Sequence, residues 1–160
     1  MRRVLSTLLV TVALACGGSA VALAAEAASL LTGTWNLNLA KSRFDPGPPP
    51  KSDSRTYVDS AQGVTVTVNI VTASGSTIAE HSSYAYDGKD YPITGNPRED
   101  ALSLKRVNER TTIITQKLSG NVVGTETRVI SADGRVMTIS SKGTDAKGAP
   151  FERVAVYDKQ

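Results

Sequence analysis

The sequence predicts an all-β chain folded as one antiparallel up-and-down barrel of about eight to ten strands. Two runs alternate apolar and polar residues with a period of two. The first sends Trp35, Leu37 and Leu39 one way and Asn36, Asn38 and Ala40 the other. The second, Val64-Thr-Val-Thr-Val-Asn-Ile70, is the strongest strand signal in the chain. Turn dipeptides also recur at short, regular spacing, and no segment carries a helical period.

The first residues are read as an address. Arg2 and Arg3 form a short positive region, an apolar run follows from Val4 to Ala15, and Ala22-Leu-Ala24 is a small-x-small cleavage site. Residues 1–24 are expected to be a secretory signal peptide and 25–160 the barrel domain, placing the mature chain in the periplasm or outside the cell. Gly17, Gly18 and Ser19 interrupt the apolar stretch, which argues against a membrane span. Cys16 is the only cysteine. A lipid anchor on it, making an outer-membrane lipoprotein, is the alternative to a plain signal. Neither disulfides nor thiolate ligands are then available to the domain.

Lys plus Arg number 18 against 15 Asp plus Glu, and the excess shrinks further once Arg2 and Arg3 leave. No nucleic-acid footprint is expected from so balanced a chain. One domain is expected on length, and a monomer.

After the tryptophan strand comes a proline-rich loop over 42–54, containing Pro48-Pro-Pro50, which fixes φ and removes donors. It is read as a stiff connection within the domain, with Phe44 as an apolar anchor. Strands are expected over 55–60, 64–70, 77–86, 90–94, 101–107, 111–118, 122–131, 135–142 and 151–158. Asp87-Gly88 is read as a tight hairpin turn with positive φ at both central positions. Pro92 limits its strand to an edge or a bulge. Connections this short favour a meander over a Greek key, and closure removes edges that a Val- and Thr-rich chain would expose. The inward face stays open at 111–115 and at Val122-Val123, where both faces carry apolar residues.

Few parts for catalysis are present. His81 is the only histidine, and on a strand its neighbour Ser82 points to the opposite face, so no Ser-His-Asp arrangement is indicated. Phosphate-cradling glycine loops and nucleophile elbows are missing from the sequence, and no metal site or cofactor is expected. The chain is read as a binding protein and not an enzyme. Tyr84, Tyr86, Tyr91 and Tyr157, with Arg106 and Arg128, are the candidate ligand-binding residues. Phenols and guanidinium groups in an apolar pocket fix the polar end of a small apolar or amphipathic molecule. The alternative is a filled barrel that works through its surface as a cell-envelope interaction or inhibitor module.

The opening Gly33-Thr-Trp35 and the closing Arg153-Val-Ala-Val-Tyr-Asp-Lys159 resemble the two ends of a calycin barrel, the fold of lipocalins and fatty-acid-binding proteins. The resemblance implies that first and last strands are neighbours, that Gly33 and Trp35 are structural, and that Arg153 stacks over Trp35. Fatty-acid-binding proteins close with Arg-x-Tyr, and here Ala155 stands two before Tyr157, so the tyrosine alone matches. The proline loop takes the place of that family's helical lid. Gly-Thr-Trp-x-Leu-Asn, Phe44-Asp-Pro-Gly-Pro-Pro-Pro50 and Tyr86-Asp-Gly-Lys-Asp-Tyr-Pro-Ile-Thr-Gly-Asn-Pro97 are similar to a group of exported, lipocalin-like bacterial proteins.

Overall fold

In a computed structural model, residues 30–160 are described, apart from 62 and 146. The expected signal peptide over 1–24 and Cys16 therefore lie outside the described residues. The strands are β1 (Gly33–Leu37), β2 (Arg43–Asp45), β3 (Ser52–Ser60), β4 (Gly63–Val71), β5 (Thr77–Tyr84) and β6 (Asp87–Thr94). They continue as β7 (Ala101–Asn108), β8 (Thr111–Leu118), β9 (Asn121–Ile130), β10 (Val136–Thr144) and β11 (Pro150–Lys159).

From β3 to β11 each strand pairs antiparallel with the next, and β1 closes the ring by pairing with both β3 and β11. The result is a closed meander barrel. β2 is a short extra piece that follows β1 along β11, opposite Glu152–Val154.

The first strand is shorter than its alternation predicts. It stops at Leu37, and Leu39–Lys41 form a 3-10 turn that leaves Leu39 exposed. Asn38 caps that turn, its side chain accepting from the Lys41 amide. The interrupted ladder is repaired locally: Asn38 N–H donates to Val156 O at 2.7 Å, and Val156 N–H donates to Ser42 Oγ at 2.9 Å. A side chain thus satisfies a backbone donor that a straight strand would have paired.

Asp87-Gly88 is not the tight hairpin turn that the dipeptide predicts. Gly88 has φ +77, whereas Asp87 has no positive φ, and β5 pairs with β6 only at His81–Thr94 and Ser82–Ile93. Asp87 starts β6 opposite Lys105, and one extra residue follows before Asp90 meets Ser103, a bulge in the β6–β7 ladder. Pro92, lacking an N–H, lies on this weakly paired strand, as its chemistry requires.

The end carrying β1 is the base, with connections after β3, β5, β7 and β9; the proline loop lies at the opposite end, the mouth. Trp35, Tyr57, Val64, Leu104, Ile130, Met137 and Tyr157 are buried within the barrel. In β4, Val64, Val66 and Val68 are buried while Thr65 and Asn69 are exposed, so the period of two becomes a one-sided strand. The ambiguous 111–115 stretch resolves with Thr112 and Ile114 inward, and Val122 is exposed beside a β8–β9 bulge.

Trp35 Nε1 donates to Leu31 O at 2.8 Å, tying the residues before β1 under the base. The cation over its ring is Lys159, with Nζ 5.1 Å from the centroid, and not Arg153. Register explains the correction: Trp35 is directly opposite Lys159, and Arg153 is six residues further along β11, a distance of roughly 20 Å. Arg153 instead stacks on Phe151 at 4.3 Å.

Candidate functional site

The interior polar groups fall into three sets, one near the base and two nearer the mouth, where Arg55 and Glu80 are both in register with Val68. β9 carries Arg128 inward, where it is 3% exposed. Its Nη1 donates to the Tyr84 hydroxyl and its Nη2 to the Tyr86 hydroxyl, each at 3.2 Å. The guanidinium also lies 5.4 Å from the Tyr57 ring centroid. Tyr84 and Tyr86 meet edge to face at 5.9 Å, and the Arg106 guanidinium covers Tyr86 at 3.9 Å.

Among the described residues, no carboxylate lies within ion-pair distance of Arg128. A buried charge held by neutral phenols alone is expensive, because neither water nor a counter-ion offsets its desolvation. Burial pushes the Tyr84 phenol well above its usual value against the pull of Arg128, so it stays a neutral O–H. Both phenol oxygens accept from Arg128, leaving their protons to donate elsewhere.

Higher up, β3 turns Asp53 and Arg55 inward. Arg55 grips Asp53 with two bonds, Nε to Oδ1 at 3.1 Å and Nη2 to Oδ2 at 3.0 Å. The Tyr157 hydroxyl donates to the same Oδ2 at 2.8 Å, and the Arg55 guanidinium lies 5.0 Å from the Tyr157 centroid. Burial raises the Tyr157 phenol well above its ordinary value, against the pull of the Arg55 charge.

Towards the mouth, Asn96 Nδ2 bridges Glu80 Oε2 at 2.9 Å and Glu99 Oε1 at 2.8 Å. Glu126 Oε1 accepts from Gln116 Nε2 at 3.3 Å and Ser141 Oγ at 2.9 Å. Burial, helped by the charges of Glu80 and Glu126, pushes the Glu99 carboxyl up to about 8. An open surface depression of about 470 Å³ lies along β9–β11 beside Gly124, Gly143 and Phe151, and a smaller, half-open one of about 230 Å³ adjoins it near Arg43 and Arg153.

The fold brings four of the sequence-predicted residues together: Tyr84, Tyr86, Arg106 and Arg128. Tyr157 belongs to the separate Asp53–Arg55 set. Tyr91 is half-buried, and its hydroxyl donates to Asp87 Oδ1 at 3.0 Å. His81 sits on an exposed face with Nδ1 3.2 Å from Thr67 Oγ1. Among the described residues, no group of three or more His, Cys, Asp or Glu is arranged to hold a metal, and no helix is long and apolar enough to cross a membrane.

Sequence reasoning did not single out Tyr57, Asp53, Arg55 or the three glutamates. The available signal was weak: Asp53, Arg55 and Tyr57 occupy alternate positions of one strand, hence one face, but a polar face reads as a solvated one.

The fold is shared with zebrafish ileal bile acid-binding protein, solved in complex with cholic acid: TM-score 0.51, 13% identity, covering 82% of this chain and 99% of that one. The chain thus has a closed antiparallel β-barrel fold like that of this bile acid-binding protein. No protein-family model and no curated protein sequence matches it.

Proposed function

We propose that this chain is an exported carrier that holds a small amphipathic molecule inside the barrel, with the molecule's anionic or oxygen-bearing end on Arg128, Tyr84 and Tyr86. One observation carries the reading: Arg128 is buried, charged and without a carboxylate partner among the described residues. An acceptor group supplied by a ligand offsets the desolvation of that guanidinium and takes the two phenol protons. Ile139, opposite Arg128 in register, and the buried Leu104 and Ile114 supply apolar surface for the rest of the molecule. Binding of a bile acid by a protein of the same fold supports the class of ligand. The chain works by holding its ligand, not converting it, as a monomer exported by residues 1–24, with a lipid anchor on Cys16 as the lesser route.

A second reading is favoured by the packing. Trp35, Tyr57, Tyr84, Tyr157 and Met137 are large side chains buried in the interior, while Val107, Ile113 and Val129 are exposed on the outer face. On that reading the barrel is filled and acts through its surface. Native mass spectrometry of the protein purified from its own cell envelope separates the two. A small molecule released on denaturation supports the carrier. An empty protein whose melting does not shift with apolar carboxylates or sulfonates supports the surface module.

A further inference from the structure

We propose that the ligand enters and leaves through the barrel wall between β5 and β6, with Tyr86 as the movable stopper, and not through the mouth. The inference rests on the carrier reading above.

The wall is weakest there. The register of Ser82 opposite Ile93 would, if continued, pair Tyr84 with Tyr91, yet the ladder ends after two residue pairs. Ser82 Oγ donates across to Pro92 O at 2.9 Å, and beyond it no ladder pair joins 83–86 to 87–91. Every other pair of consecutive strands from β3 to β11 has a longer ladder. Opening this seam therefore breaks no continuous ladder.

The seam also leads directly to the Arg128 set. Tyr84 ends β5, Tyr86 sits in a bend outside any strand and half-buried, and Tyr91 stands on the opposite rim. Tyr86 is held by its bond from Arg128 and by the Arg106 guanidinium over its ring. Contacts of this kind are weak enough to break and re-form as the ring swings. By contrast, a molecule entering at the mouth must pass the hydrogen-bonded carboxyl groups of Glu80, Glu99 and Glu126, the wrong lining for an anion with an apolar body.

The test uses the full chain carrying Cys16→Ser, with 1-anilinonaphthalene-8-sulfonate, an apolar anion that brightens when buried, as probe. Ser83→Cys, on the exposed face of β5 at the seam, and Lys89→Cys, on the other rim, are each labelled with a bulky maleimide. Ser74→Cys, at the mouth, is labelled in parallel. Seam labels should slow both association and dissociation about tenfold while leaving Kd within about twofold, and the mouth label should change neither rate. Slowing by the Ser74 label, or no slowing by either seam label, overturns the proposed entry route. A probe that does not bind the unlabelled protein, or binds Arg128→Met equally well, overturns the carrier reading itself and the entry route with it.

Discussion

Lys159 lies across the indole of Trp35 with Nζ 5.1 Å from the ring centroid, and the same Nζ donates to Leu30 O at 3.0 Å. The last strand thereby pins both the first strand and the residues before it. Gly33 makes this possible: it has φ +122, and a Cβ there would meet Lys159 Cε at 3.0 Å. Lys159→Ala should cost about 0.5–2 kcal/mol, with Gly33→Ala destabilising as well. Arg153→Ala, six residues away, should leave the Trp35 environment unchanged. Chemical denaturation followed by the fluorescence of Trp35, the only tryptophan, checks all three.

Asp53 is the counter-ion of Arg55 and the acceptor of Tyr157 at once. Asp53→Ala strands a guanidinium inside the barrel and should cost about 3–5 kcal/mol. Tyr157→Phe removes one hydrogen bond and should cost about 1 kcal/mol. Equal effects of the two substitutions in urea denaturation would contradict this division of roles.

The half-buried glutamates Glu80 and Glu99 give stability a pH dependence with a definite sign. Glu99 ionises from 4.5 in the unfolded chain and only at about 8 in the folded one, through burial and the neighbouring charges of Glu80 and Glu126. Between those values the folded state binds more protons. Its contribution is therefore complete below the window, falls as pH rises through it and is lost above the folded value. Glu80 is shifted in the same direction, chiefly by burial. Melting temperature should fall from about pH 5 to about pH 9, and Glu99→Gln should flatten part of that slope.

Much of the barrel was legible because alternation in a Val- and Thr-rich chain dictates strands directly: β8 runs from Thr111 to Leu118 as read, and β7 and β9–β11 agree within two residues at each end. Periodicity assigns residues to faces but does not say which face is inside. Inside this barrel the polar face of β3 holds Asp53 and Arg55, so a strand that reads as half-solvated is turned the other way. Asp87-Gly88 failed for a different reason. The dipeptide permits a tight turn, but the β6–β7 pairing claims Asp87 as a strand residue and moves the extra length into a bulge. The tyrosines and arginines were found by their rarity and chemistry, while their partition into two sets depended on registers that sequence alone does not carry.

On the carrier reading, Arg128 is kept for a ligand at a cost to the fold. Arg128→Met removes a buried charge that has no carboxylate partner among the described residues, and replacing such a group with an apolar side chain of similar length is often neutral or stabilising. Calorimetric titration of an apolar carboxylate into the parent and Arg128→Met, with melting curves of both, tests this most directly. The variant should melt no lower than the parent within a few degrees and lose binding at least about tenfold. A variant that melts far lower yet binds as the parent does would contradict it, making Arg128 a structural post among the tyrosines.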